Sequence, residues 1–193
     1  MIRLAKQEDG RAVAAIYEPY VKSSSISFEA VPPSAAEMAG RMTSCVGPWL
    51  IFERGGRPLG YAYGSKHRDR AAYEWSVDVS VYVDAAHHRT GVGRALYASL
   101  LALLRLQGFY AAHAGITLPN GASVGLHESL GFRRIGVYPS VGYKHGAWHD
   151  VGWWQLSLRE RDAAPRSPRT VEDARRDPEW AATLQAGRAT EDA

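Results

Sequence analysis

Between Ser76 and Val83 the chain alternates strictly, with Val77, Val79, Val81 and Val83 on one face and Ser76, Asp78, Ser80 and Tyr82 on the other. A period of two predicts a half-buried strand, with Asp78 turned away from the valines. After a short polar connection, His88-Arg-Thr-Gly-Val-Gly93 leads into a run where Val92, Leu96, Leu100, Leu103 and Leu104 recur at helical spacing as far as Gly108. Strand, glycine loop and helix in that order make an anion site. The first helical amides are unpaired, the helix start carries partial positive charge, and Gly91 and Gly93 allow close approach to the backbone. Arg89 adds a cation.

The flanking pattern predicts a strand at residues 2–5 and a helix from Glu8 to Ser24 through Val13, Ile16, Tyr17 and Tyr20, interrupted near Pro19. Ser34 with Glu37 forms a capping box for a second helix that ends at about Cys45. Arg54-Gly55-Gly56 between residues 49–54 and 57–65 is a hairpin signal. Past the central helix come a strand from Tyr110 to Ile116, a turn at Pro119-Asn120, a short helix from Ala122 to Leu130 closed by Gly131, and strands at 132–138 and 151–158. Six or seven strands around four helices predict an α/β (α+β) fold with a mixed central sheet. From Ala163 the composition shifts to proline, arginine and mixed charge, which divides the chain into a domain of residues 1–160 and a charged tail of residues 161–193. That tail is expected to be an appendage with one short helix, capped by Asp177-Pro178-Glu179 and stopped at Gly187.

With 193 residues, 46% apolar and 22% charged, the chain has the make-up of one globular domain. A single cysteine, Cys45, excludes an intramolecular disulfide, favours a reducing compartment, and reads as a small buried hydrophobe. The absence of a signal-like start or a long apolar run leads to the expectation of a cytoplasmic protein without a membrane partner. A net charge of +3 with arginines scattered among acids does not point to nucleic acid. His145 and His149 have i, i+4 spacing but fall in a glycine-containing hairpin segment, so no metal site is expected there.

Phe28-Glu, Arg70-Ala-Ala-Tyr73, Ser80-Val-Tyr-Val83, Arg89-Thr-Gly-Val-Gly93, Leu118-Pro-Asn120, His127-Glu-Ser-Leu-Gly-Phe132 and Gly142-Tyr-Lys-His-Gly-Ala-Trp-His-Asp-Val-Gly-Trp-Trp-Gln155 occur together in this chain. As a set they resemble the phosphinothricin and methionine sulfoximine N-acetyltransferases of the GNAT superfamily, over roughly residues 2 to 158. The resemblance implies the GNAT acyl-CoA N-acyltransferase fold and direct transfer of an acetyl group from acetyl-CoA to an amino-acid-like amine, with no metal. It further implies that Val81, Tyr82, Val83, His88, Arg89, Thr90, Gly91, Val92, Gly93, Arg94 and Asn120 hold acetyl-CoA. Asp78 stands where the family places its general base, normally Glu, and is one methylene shorter, so a bridging water is expected. His88 likewise departs from the Gln or Arg usual at its position. His127 is implied as a proton donor to the leaving thiolate, Arg70 as the partner of the acceptor's acid group, and Phe28 and Tyr73 as walls of its pocket. A homodimer is also implied, with the aromatic strands at residues 138–144 and 148–154 in the interface.

The residues themselves leave alternatives open. Asp78 also reads as a solvated strand carboxylate, His127 as a packed helix histidine, and Lys66, His67 and Arg68 as a solvated charge run. An acyl-CoA-binding sensor with little turnover, or an acetyltransferase for another amine, satisfies the same motifs.

Overall fold

The computed structural model describes residues 1–190. Seven strands, β1 (Ile2–Leu4), β2 (Trp49–Arg54), β3 (Arg57–Lys66), β4 (Ser76–Val83), β5 (Ala111–Leu118), β6 (Arg133–Lys144) and β7 (Ala147–Ser157), form one sheet in the order β1-β2-β3-β4-β5-β7-β6. Only the β4–β5 pair is parallel. A parallel pair needs a crossover, supplied here by α3 (Val92–Gln107). The helix buries Leu96, Leu100, Leu103 and Leu104 completely, together with Val77 and Val79 of β4.

The opposite face of the sheet is covered by α1 (Gly10–Lys22) and α2 (Ala35–Ser44). Their Val13, Ile16, Tyr17 and Met38 pack on Trp49, Ile51 and Tyr61. Leu50 and Phe52 of the same β2 join the α3 side, so this strand is covered on both faces and reads as an unbroken apolar run. The Ser34 capping box forms as expected, its Oγ accepting from the Glu37 amide at 3.2 Å. Pro19 does not interrupt α1: it lies in the last turn, where its missing N–H costs one bond, and Ser23 N–H closes the end on the Pro19 carbonyl. Cys45 is half-buried and its sulfur accepts from Trp49 Nε1 at 2.8 Å.

Two regions differ in extent from the sequence reading. The β6 and β7 strands run well beyond 132–138 and 151–158 and meet at His145-Gly146, both at positive φ (50° and 77°), a geometry that matches the twist of a two-residue hairpin. A register shift between Tyr138 and Gly142 breaks the alternation, and there Ser140 N–H, at φ 47°, donates to Asp150 Oδ1 at 2.7 Å.

The segment expected to be an appendage packs on α3 instead. It forms α5 (Val171–Ala174) and α6 (Trp180–Leu184), and buries Ala174 and Trp180 in the main core. Ser99 Oγ donates to the Leu184 carbonyl at 2.8 Å and accepts from Gly187 N–H at 3.0 Å. A Cβ on Gly187 would lie 2.0 Å from the Ala95 carbonyl oxygen, so only glycine permits this contact with the helix. Few large apolar residues sufficed, because each is aimed at α3. Residues 191–193 of the expected tail lie outside the described residues.

Candidate active site

The parallel strands make a fork. β4 and β5 pair at Ser76–Ala111, Val77–Ala112 and Asp78–His113 and then part, while β5 continues along β7 as far as Leu118. Past the fork, the side of β4 that faces β5 has no strand partner, so main-chain groups of Val79 to Val83 border an open cleft. Its walls include Val79, Ser80, Val81 and Tyr82 of β4, Ala114 to Thr117 of β5, and Tyr97 of α3. Asn120, Ser123 and His127 come from α4 (Gly121–Ser129) and its cap, and Ile26 from the loop after α1. The Tyr82 ring packs away among Tyr17, Tyr20 and Tyr61, at 4.8, 5.2 and 5.4 Å between centroids. What Tyr82 offers the cleft is its backbone.

Beyond the end of β4 lies the glycine loop. Gly91 caps α3 at φ 85° and Arg89 sits at φ 62°. Residues Arg89 to Gly91 are exposed, and the Arg89 guanidinium has no hydrogen bond or ion pair among the described residues. Arg94 is committed elsewhere, donating to Ser129 Oγ at 2.6 Å, and Thr90 Oγ donates to the His87 carbonyl at 2.7 Å. A Cβ on Gly93 would meet Leu126, Val83 and Val81 in ordinary van der Waals contact, the first 3.5 Å away, so any longer side chain would grow toward the walls of the fork. His88 fastens the loop. Tyr20 O–H donates to the Val83 carbonyl at 2.6 Å, so His88 Nε2, 2.7 Å from the same hydroxyl and 3.1 Å from Val83 O, must carry a proton and donate. The departure from Gln or Arg thus keeps a donor that ties the loop to β4 and α1.

At the crotch of the fork Asp78 is not a solvated strand residue. Its Oδ1 lies 2.6 Å from His67 Nδ1, and the side chains are only 25% and 13% exposed. The His67 ring stacks on His113 at 4.3 Å and 17°, with Tyr73 and Trp153 edge-on at 6.0 and 6.3 Å. Arg68 donates to the His67 carbonyl at 2.7 Å and lies 5.7 Å over the Trp153 ring. Burial pushes the Asp78 carboxyl above its ordinary range, and the contact with His67 works against that. Burial, and then the neighbouring His67, push His113 down to about 4.

His67 and His113 are the functional candidates that sequence reasoning missed. The signal available was weak: His67 sat in a charged loop, and His113 in an apolar strand whose partners come from elsewhere in the chain. Atoms of His67, Asp78 and His113 lie within 4.8 Å of one another, the one such metal-sized group among the described residues. Imidazole lone pairs lie in the ring plane, however, and two nearly parallel stacked rings do not aim them at one point. His145 and His149 do not assemble: the first is in the hairpin turn, and His149 Nε2 lies 3.0 Å from the Lys144 carbonyl.

Of the residues expected around the acceptor, Tyr73 joins this cluster through His67. Phe28 packs elsewhere, so close to Gly142 that a Cβ there would come within 2.2 Å of its ring. Arg70 is exposed, and its guanidinium has no hydrogen bond or ion pair among the described residues, while its carbonyl accepts from Tyr73 N–H at 3.0 Å. His127 is buried, 3% exposed. Its Nδ1 lies 2.8 Å from the Ser123 carbonyl, which can only accept, so the proton is on Nδ1 and Nε2 accepts from Tyr97 O–H at 3.1 Å. Burial lowers its pKa, which favours that neutral form. In it the hydroxyl of Tyr97, a residue absent from the sequence reading, is the donor of the pair.

Residues 2–153 match the acetyltransferase (GNAT) domain family. The chain is 41% identical over 172 residues to phosphinothricin N-acetyltransferase of Streptomyces viridochromogenes, covering 88% of this chain and 93% of that protein. It is also 41% identical over 118 residues to L-methionine sulfoximine/L-methionine sulfone acetyltransferase of Salmonella typhimurium, covering 61% and 68%. Among solved structures, a GNAT superfamily phosphinothricin acetyltransferase from Sinorhizobium meliloti in complex with acetyl-CoA superposes with a TM-score of 0.82 at 32% identity, covering 90% of this chain and 96% of that one. A sheet forked at a parallel pair, a glycine loop opening the crossover helix and this extent of identity lead to one assignment: the chain belongs to the GNAT acetyltransferase family.

Proposed function

We propose that this protein transfers the acetyl group of acetyl-CoA to the primary amine of a small amino-acid-like acceptor of the phosphinothricin or methionine sulfoximine type. The observation that carries the reading is the fork: past the Asp78–His113 pair a cleft opens between β4 and β5, bordered by the side of β4 that no strand pairs. Acetyl-CoA would bring the thioester. The amides at Val92, Gly93 and Arg94 and the mobile charge of Arg89 suit its pyrophosphate, with His88 and Thr90 holding the loop's shape. Backbone groups from Val81 to Val83 suit the pantetheine, and an amide along β4 would stabilise negative charge on the thioester oxygen. Asn120 acts by capping α4, its Oδ1 accepting from Ser123 N–H at 3.1 Å, which sets His127 beside Tyr97. Tyr97 O–H would meet the leaving sulfur by turning its one proton from His127 Nε2 to the thiolate. The Asp78 end removes the proton from the amine, and Arg70, with Tyr73 beside it, receives the acid group of the acceptor.

Homodimerisation and a cytoplasmic setting belong to the same proposal. β6 is an edge of the sheet, and Tyr138, Val141, Tyr143 and Trp148 of its hairpin are 47%, 52%, 62% and 65% exposed. An edge so apolar calls for cover. Light scattering that gives a monomer mass at high concentration would remove this part alone. For the reaction, thiol release from acetyl-CoA is measured over a panel of amino acids, phosphinothricin, methionine sulfoximine and methionine sulfone. Turnover with at least one amino-acid-like amine is the expected result. Acetyl-CoA binding without thiol release on any acceptor would overturn the reading in favour of a sensor domain.

A further inference from the structure

Asp78 Oδ1 lies 2.6 Å from His67 Nδ1, so the carboxylate is already engaged by an imidazole. An ionised carboxylate only accepts, which puts the proton on Nδ1 and leaves the lone pair at Nε2. That nitrogen has no hydrogen bond among the described residues. We infer that His67 is the group that takes the acceptor's proton, with Asp78 as the positioning residue that fixes its tautomer and His113 as the platform under its ring. The inference rests on the acetyl transfer proposed above and changes which atom is the base.

Three features support it. The aspartate's short reach is extended outward by a whole imidazole. The ring is held in place by the His113 stack, by the edges of Tyr73 and Trp153, and through its own carbonyl by Arg68. His113, held near 4 by burial and then by His67, stays neutral and serves the His67 ring as a platform, not as a second base.

The proton count closes. His67 Nε2 takes one proton from the acceptor ammonium, the imidazolium is stabilised by Asp78 and returns that proton to water, and the freed amine attacks the thioester carbon. The C–N bond forms, the C–S bond breaks, and a second N–H proton ends on the sulfur as CoA thiol.

The test uses the full chain, acetyl-CoA and the best acceptor of the panel. His67→Ala is expected to lose roughly 10²–10⁴-fold in turnover, as Asp78→Asn does, and the double variant to lose no more than either single. Added imidazole should restore part of the His67→Ala rate and none of the Asp78→Asn rate. His67→Asn keeps a donor facing Asp78 but lacks a basic nitrogen, and should be as slow as the alanine variant with CoA affinity unchanged by calorimetry; it carries the test if His67→Ala does not fold. His67 variants within about twofold of wild type beside an impaired Asp78→Asn would overturn the inference, returning the base to Asp78 and leaving the proposed function intact. Activity abolished by a chelator and restored by zinc would overturn it in favour of a metal held by the same three residues. A wild type that binds acetyl-CoA and releases no thiol removes the proposed function first.

Discussion

The cofactor end of the proposed site and its acceptor end are made of different material. At the glycine loop and the fork, the groups on offer are main-chain: helix amides, the free side of β4, and a cap at φ 85°. At Asp78 they are side chains gathered from separate elements, His67 after β3, Asp78 on β4, His113 on β5 and Trp153 on β7. Backbone sites depend on local conformation and tolerate most side chains; side-chain clusters depend on tertiary register and tolerate few. The two ends should therefore fail differently, one in cofactor affinity and the other in turnover.

The largest separation is expected from Asp78→Asn. Turnover should fall roughly 10²–10⁴-fold, the usual worth of general acid–base catalysis, with CoA affinity by calorimetry within about twofold of wild type. An Asn variant of full activity would erase the acceptor end as drawn. Gly93→Leu probes the other end: its side chain would grow from a Cβ already in contact with Leu126 and directed at Val81 and Val83, forcing α3 away from the fork. CoA affinity should weaken by about tenfold or more, at least about 1.4 kcal/mol, with the pH–rate profile unmoved. Unchanged CoA affinity in a folded variant would detach the glycine loop from the cofactor. Gly91→Ala is milder, because nothing lies within 4 Å of the new Cβ and only the left-handed φ of 85° is strained. A cost of about 1–2 kcal/mol is expected, read as a loss of CoA affinity or of thermal stability. No change in either would mean that the loop relaxes to another conformation at no cost.

The same contrast explains what could be read from the chain. Alternation from Ser76 to Val83, glycines before an apolar helix, the Ser34 cap and the turn at Pro119-Asn120 are local signals, and each element formed where its pattern lay. The strand face of Asp78 could be read from the local period, and its role as base came from the resemblance. Its partner could not: His67 lies eleven residues earlier in a run of charged residues, and only the Ser65–Asp78 and Asp78–His113 registers bring the three together. His127 was legible as a helix histidine but its tautomer was not, since that depends on the Ser123 carbonyl and on Tyr97 from another helix. The C-terminal segment misled for a related reason. Its apolar residues are too few to show a period, and Gly187, read as a helix stop, is needed for contact with Ala95.

The smallest expected effect concerns pH and stability at the acceptor end. His113 is held near 4 against an ordinary 6.5, by burial first and by the neighbouring His67 next, with Arg68 adding to the push and Gln155 on β7 opposing it. Between those values the unfolded chain binds more protons than the folded one, so stability is full above about pH 6.5 and falls as the pH drops toward 4. A shift of that size is worth at most about 3 kcal/mol at 1.36 kcal/mol per unit, and screening at the partly open edge of the cluster cuts it to on the order of 1 kcal/mol. Asp78 works in the opposite sense, since its raised pKa favours the folded state at acid pH and that benefit fades as the pH rises from 3.8 through its folded value. His127, also lowered by burial, adds to the acid loss and is present in wild type and variant alike. The comparison to make is therefore the drop in melting temperature from pH 8 to pH 5 in wild type and in His113→Val. The variant should lose less over that interval, by a few degrees, because a kcal/mol moves the midpoint of a chain this size by about 2–4 °C. An equal drop in both proteins would mean that His113 already shares its proton with the cluster, and the stacked pair would then have to be treated as one titrating unit with Asp78.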